Sequence, residues 1–137
     1  MIKKIIVFSA CISFISLSAQ QQQTSKQRGA SLYKKYCLTC HQADGGGVPR
    51  MNPPLTQTSY VTGDKEKLIK WVLQGSVNQH VDIDGESYSN NMPAQNYLTD
   101  QQIADVLTYV RGSFGNKSSA VLPTEVKTVR ASLSTKP

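Results

Sequence analysis

The stretch YKKYCLTCHQADGGG, residues 33–47, holds two of the three cysteines and one of the two histidines of this chain. Cys37, Cys40 and His41 form the motif C-x-x-C-H. On a helix, residues three and four positions apart lie on one side, so the two thiols and the imidazole are predicted to point together. The glycine run that follows predicts the end of this helix.

Three chemistries use this spacing: covalent attachment of a haem, a zinc site and a redox disulfide. A haem needs two thiols for its two vinyl groups and an imidazole beside them, which Cys37, Cys40 and His41 supply. Zinc needs four tetrahedral ligands, and the motif reaches that number only with His80, which has no second ligand beside it. A thioredoxin-type disulfide starts a helix in a βαβ unit, and no such unit is predicted. The sequence therefore favours haem, with two cysteine thioethers and His41 on the iron.

Composition limits the other possible functions. The chain has 137 residues, a formal net charge of +6 and only 7% aromatic residues. This length fits one domain, and a domain this small benefits from a bound group that adds buried apolar surface. The positive charge is too low and the aromatic residues are too few to predict nucleic-acid binding.

The first 19 residues have the pattern of an export signal. Lys3 and Lys4 precede a mainly apolar stretch that ends in small residues and is too short to cross a membrane. We predict that residues 1–19 are a signal peptide, that the protein is periplasmic and that the mature chain has no transmembrane span. Cys11 is predicted to leave with the signal, and the alternative is a lipoprotein cysteine that anchors the protein to a membrane.

The rest of the chain is predicted to be mainly helical. Residues 20–27 are typical of a flexible polar leader, and residues 117–137 form a C-terminal tail that is either disordered or carries a short helix. Helices are predicted to run into the cysteines, to follow an N-cap at Asp64 and to follow a capping box that Thr99 opens. Between them lie long glycine- and proline-rich connections, which are uncommon in a small domain unless they enclose a ligand.

A second protein ligand to the iron would decide the function. Iron held by one histidine alone can bind oxygen or a substrate, whereas a second protein ligand makes it an electron carrier. Met51, Met92 and His80 are the candidates. Met92 precedes Pro93 in a stiff loop and lies far enough from His41 to reach the other face of the haem. The sequence favours His41 and Met92 as axial ligands of an electron carrier. The alternative is a haem with an open or exchangeable sixth position, in a ligand-binding or peroxidase-like domain.

With these residues identified, the chain resembles the class I, single-haem cytochromes c from about Gly29 to Asn116. The resemblance rests on the segments GASLYKKYCLTCH, PPL, VLQG, NNMPAQ and LTDQQIADVLTYVRGSFGN. The chain is most similar to the small cytochromes and cytochrome domains that accompany bacterial quinone-dependent dehydrogenases, copper nitrite reductases and oxidases.

The resemblance implies an all-α fold in residues 28–116, with three or more helices and long loops wrapped around one covalently bound haem c. It implies a single-electron shuttle whose redox partners are a dehydrogenase, a reductase or an oxidase, and we expect a monomer. It also implies a contact between the first and last helices at Gly29 and Tyr109. A proline carbonyl, from Pro53 or Pro54, would orient the imidazole and fix its tautomer.

Overall fold

A computed structural model describes residues 23–77 and 79–135. The predicted signal peptide, with Cys11, lies outside the described residues. The elements are α1 (Ser25–Tyr36), α2 (Leu38–His41), α3 (Ser59–Thr62), α4 (Lys65–Gln74), β1 (Val81–Ile83), β2 (Glu86–Tyr88), α5 (Asp100–Arg111) and α6 (Pro123–Ser134). The prediction of a mainly helical fold is confirmed. Within the described ranges, none of the helices has both the length and the hydrophobicity that crossing a bilayer would demand.

Strands β1 and β2 form a small antiparallel hairpin that the sequence pattern did not predict. Val81 pairs with Tyr88, and the turn residues Asp84 and Gly85 have φ angles of 54° and 88°. Positive φ at both positions is what makes Asp-Gly a favoured two-residue hairpin turn. Strands of three residues each are too short for a clear alternation of apolar and polar residues, so this dipeptide was the available signal.

Helix α1 begins inside the segment 20–27 that was predicted as a flexible leader. Thr24 and Gln27 form a capping box before its first residue, Ser25. The Thr24 amide donates to Gln27 Oε1 over 2.8 Å, and the Gln27 amide donates to Thr24 Oγ1 over 3.3 Å. Such a box gives partners to two amides at the helix start. The leader prediction is therefore corrected at its C-terminal end, where the helix replaces it.

The caps predicted for α4 and α5 are confirmed. Asp64 Oδ1 accepts a hydrogen bond of 2.8 Å from the Lys67 amide. Thr99 Oγ1 accepts from the Gln102 amide over 3.2 Å, and the Gln102 side chain accepts from the Thr99 amide over 2.9 Å. These signals act within four residues, so they are independent of the rest of the fold.

Helix α6 lies in the segment 117–137, for which either a short helix or disorder was expected. Its Val126 and Val129 side chains are buried in the same core as α4 and α5. Two ion pairs join it to these helices: Lys65 Nζ with Glu125 Oε1 at 3.0 Å, and Asp100 Oδ1 with Arg130 Nε at 2.7 Å. The helical alternative is the correct one, and α6 covers the side of the core that it contacts.

Helices α1 and α5 cross at Gly29 with no room for a side chain. A Cβ atom on Gly29 would lie 2.0 Å from the Asp105 carbonyl oxygen and 2.7 Å from Tyr109 Cβ, which confirms the predicted glycine–aromatic contact. The Asp105 carboxylate also accepts hydrogen bonds of 2.6 Å from Ser25 and of 2.6 and 2.8 Å from Arg28. Burial alone would raise the pKa of Asp105, but these bonds outweigh it and lower the pKa. The crossing is thus both tightly packed and ion-paired.

We expect Gly29→Ala to destabilise the protein. Alanine is normally better than glycine in a helix by roughly 1 kcal/mol, but here its methyl group would overlap the α5 backbone, and overpacking costs about 1–3 kcal/mol. Urea unfolding should show the loss, while Ser31→Ala, exposed on the same helix, should stay within about 0.5 kcal/mol of the parent. A Gly29→Ala variant as stable as the parent would contradict the tight crossing.

Candidate functional site

A cleft lies between the C-x-x-C-H turn, the hairpin and helices α4 and α5. The space in and in front of the cleft is about 1190 Å³, which includes open solvent at its mouth. Apolar side chains from several elements form much of its wall: Leu55, Leu68, Val72, Val81, Ile83, Leu98, Val106, Leu107 and Val110. Such a wall suits a large apolar ligand that is oriented by a few polar groups.

The C-x-x-C-H turn brings its three functional side chains to this cleft. Cys37 ends α1, and Cys40 and His41 belong to the single turn α2. The His41 amide donates a hydrogen bond of 2.9 Å to the Cys37 carbonyl, so the predicted helical spacing is confirmed. All three residues line the cleft.

The His41 ring is held in one tautomer. Its Nδ1 atom lies 2.9 Å from the Pro53 carbonyl oxygen. Because a carbonyl can only accept, Nδ1 carries the hydrogen and Nε2 keeps its lone pair. Burial lowers the pKa of His41, against the opposing effect of the Pro53 hydrogen bond, which favours the neutral ring. A neutral imidazole fixed by an outer hydrogen bond is the form that binds a metal. Of the two candidate prolines, Pro53 makes this bond.

The two cysteines of the turn are free thiols in different surroundings. Cys40 is exposed, whereas burial, with a smaller contribution from Cys40, raises the pKa of Cys37 to about 11. A redox-active cysteine reacts as a thiolate, and its surroundings lower its pKa. The raised pKa of Cys37 therefore argues against the disulfide alternative.

The position of His80 argues against a zinc site. His80, the fourth ligand that zinc would need, is exposed and lies beside Asp82, with Nε2 and Oδ1 3.2 Å apart. It does not line the cleft. Across residues 23–77 and 79–135, no group of three or more histidine, cysteine, aspartate or glutamate side chains is arranged to hold a metal ion.

Among the three candidates for a second axial ligand, Met92 alone lines the cleft. Met51 has 47% of its surface exposed, and the His80 side chain is 72% exposed. The Met92 loop is attached to the segment after α4, where Ser76 Oγ accepts a hydrogen bond of 2.8 Å from the Met92 amide. The fold thus brings one of the three candidates to the same cleft as the C-x-x-C-H turn.

Sequence reasoning missed part of the cleft wall. Val81 and Ile83 of β1 are only 3% and 6% exposed, and both face the cleft, while Asp82 between them is exposed. Trp71 also lines the cleft, with the Tyr60 ring packed edge-on against it at a centroid distance of 5.3 Å. The Asp-Gly turn could have indicated the hairpin, but no local signal indicates which face of β1 meets the cleft.

Comparison with known families agrees with this arrangement. Residues 26–113 match the family described as cytochrome c. The chain belongs to the cytochrome c family. The cofactor of this cytochrome c is a covalently bound haem c. The cleft fits that group, since it combines an apolar wall with two free thiols and a neutral imidazole whose Nε2 lone pair is available.

Relatives of this cytochrome c include parts of larger proteins. The cytochrome c subunit of alcohol dehydrogenase (quinone) from Gluconacetobacter polyoxogenes is 38% identical over 101 residues, which cover 69% of this chain and 20% of that subunit. The gluconate 2-dehydrogenase cytochrome c subunit of Pantoea cypripedii is 36% identical over 99 residues, 70% of this chain and 22% of that one. Cytochrome c-552 of Thermus thermophilus is 33% identical over 92 residues, 64% of this chain and 69% of that protein. The chain thus spans about a fifth of the length of the dehydrogenase subunits.

We expect Val81→Thr to lower the reduction potential of the haem-loaded cytochrome. It places a hydroxyl group in the apolar wall, and a more polar surrounding stabilises the more highly charged oxidised iron. We expect a shift on the order of tens of millivolts; for one electron, about 59 mV corresponds to a tenfold change in the equilibrium constant of reduction. Potentiometric titration should detect it. Ser87→Ala, which removes a hydroxyl from an exposed position of the same hairpin, is the control and should leave the potential unchanged. Equal potentials for parent and Val81→Thr would contradict a role of Val81 in shielding the haem.

Proposed function

We propose that this cytochrome carries single electrons on a haem attached through Cys37 and Cys40, with His41 and Met92 as the axial ligands of the iron. The observation that carries the proposal is the composition of the cleft wall. It includes all three residues of the C-x-x-C-H turn and Met92, but neither Met51 nor His80. Bound haem supplies a one-electron couple between ferrous and ferric iron.

Each of these residues has a separate task. The Cys37 and Cys40 thiols would hold the haem by adding across its two vinyl groups, sulfur to one carbon and hydrogen to the other, so that nothing would be released. Burial raises the pKa of Cys37, which keeps this thiol protonated in the free chain. His41 presents Nε2 to the iron, because Nδ1 is engaged by the Pro53 carbonyl. The Met92 thioether is a soft ligand that favours the ferrous state and raises the potential relative to a second histidine.

The partner that we propose is an exported dehydrogenase, reductase or oxidase that exchanges electrons with this chain in the periplasm. The dehydrogenase subunits among the relatives support the first of these classes, and the signal-like pattern of residues 1–19 supports the location.

We also propose that the cytochrome is a monomer. In the described part of the chain, only four large hydrophobic residues are prominently exposed: Met51, Val77, Tyr97 and Leu122. That is a small apolar surface for a stable dimer.

Covalent attachment is tested by extraction of the haem. Acid–acetone should leave the pigment with the parent protein, and it should also leave it with Thr39→Ala, a change at an exposed position inside the motif. The double variant Cys37→Ala, Cys40→Ala should release its pigment completely, because no thioether remains. Each single variant should retain it through one bond. Pigment that leaves the parent protein under these conditions would refute attachment through these cysteines.

Axial ligation by Met92 is tested by Met92→Ala. Loss of the thioether should abolish the His–Met spectrum, lower the reduction potential and let the reduced protein bind carbon monoxide rapidly at neutral pH. Met51→Ala, which removes an exposed methionine, is the matched control and should behave like the parent. Rapid carbon monoxide binding by the parent itself would instead support the alternative function, a haem with an open sixth position.

A further inference from the structure

Ser76 is hydrogen-bonded to both backbone polar groups of Met92. It follows Gly75 at the C-terminal end of α4, and only 1% of its surface is exposed. Its hydroxyl oxygen accepts a bond of 2.8 Å from the Met92 amide, and its own amide donates a bond of 2.9 Å to the Met92 carbonyl. One buried residue therefore bonds both polar groups of the residue that we propose as an iron ligand.

Gly75 lets the two segments come this close. Its φ angle is +70°, a conformation that side-chain-bearing residues rarely adopt. A Cβ atom there would lie 2.3 Å from the Met92 carbonyl oxygen and 2.7 Å from the Ala94 nitrogen. A third bond follows three residues after Met92, where the Gln95 amide donates to the Val72 carbonyl over 2.9 Å. The loop is thus attached to the end of α4 before and after the point where the Met92 side chain leaves the backbone.

The contribution of the Ser76 side chain can be separated from that of its backbone. The substitution Ser76→Ala replaces the hydroxyl group with hydrogen. It keeps the bond from the Ser76 amide to the Met92 carbonyl but leaves the Met92 amide without its acceptor. In a partly buried segment, an amide without an acceptor favours conformations in which the loop moves to regain one. Such conformations would turn the Met92 side chain away from the cleft without changing the ligand itself.

We propose that Ser76 is a positioning residue for the axial methionine, and that its hydroxyl group keeps the Met92 loop in the ligating conformation. The proposal rests on the proposed function of Met92. In this proposal, the Ser76 side chain controls how often Met92 leaves the sixth position of the iron. Ser76 is neutral and buried, and it lies outside the C-x-x-C-H turn. The consequence is measurable, because an external ligand binds only the fraction of molecules in which Met92 has left.

The experiment measures imidazole binding by the oxidised, haem-loaded cytochrome, together with its reduction potential. Ser76→Ala should bind imidazole about 10- to 100-fold more tightly than the parent, since the apparent affinity rises with the vacated fraction. Its potential should fall, because the ferric form gains most from losing a soft ligand. Ser76→Thr keeps the hydroxyl and should stay within about threefold of the parent. Met92→Ala sets the upper limit of affinity.

Val126→Ala is the control for a merely structural effect. It truncates a fully buried side chain of α6 that does not line the cleft, so it should lower stability without changing imidazole affinity. An increase in affinity for Val126→Ala equal to that for Ser76→Ala would overturn the proposal. Should Ser76→Ala yield no folded protein, Ser76→Cys offers a weaker acceptor and should give an intermediate affinity. Affinity equal to that of the parent would then overturn the proposal.

The same measurements separate the two proposals. If Met92→Ala binds imidazole no more tightly than the parent, Met92 is not the ligand and the proposed function fails. If Met92→Ala binds tightly but Ser76→Ala behaves like the parent, axial ligation by Met92 stands and the role of Ser76 is refuted. If Ser76→Thr binds as tightly as Ser76→Ala, the hydroxyl group is not what holds the loop, and the role is refuted as well.

Discussion

The contact between α1 and α5 at Gly29 is the constraint on which the rest of this cytochrome depends. The α1 backbone approaches the Asp105 carbonyl so closely that no Cβ atom fits, and the Asp105 carboxylate binds back to Arg28. Helix α1 leads directly into the C-x-x-C-H turn, and the Met92 loop leads directly into α5. A close and ion-paired crossing therefore fixes the position of the C-x-x-C-H turn relative to the Met92 loop. A side chain at Gly29 would force the two helices apart.

The long connections are held in place by few but specific hydrogen bonds. The His41 ring donates to the Pro53 carbonyl over 2.9 Å, and Asn116, itself buried, donates to the Leu55 carbonyl over 2.8 Å. Ser76 bonds both polar groups of Met92. Each bond joins a connection to a helix or to the segment that follows one, so backbone without regular structure can form a defined wall. A covalently bound haem c in the cleft would add apolar surface to the core, as a small domain requires.

Charge contributes to stability mainly at the ends of helices. The Asp105 pair ties the start of α1 to α5, and the Lys65–Glu125 pair ties the start of α4 to α6. The Lys65–Glu125 pair is partly exposed and contributes little by itself, whereas the Asp105 carboxylate is buried. Their importance lies in fixing which helices lie side by side, because each pair joins two helices that are far apart in the chain. The cleft that we propose for the haem has a different character, because its wall is mostly apolar and burial lowers the pKa of His41.

The chain's sequence by itself determined that Cys37, Cys40 and His41 lie side by side, and it determined the starts of α4 and α5. Cys37, Cys40 and His41 lie within one helical turn, and a capping side chain reaches an amide only three residues away, so both follow from local geometry. Tertiary structure alone decided which methionine reaches the cleft, which proline carbonyl bonds the His41 ring, and which face of the hairpin meets the cleft. It also decided that the tail packs on the core as α6. These outcomes depend on contacts between residues many positions apart, and neither helical nor strand periodicity specifies how such segments meet. Met51 and Met92 are alike as amino acids, and only the packing of the Met92 loop on the end of α4 distinguishes them.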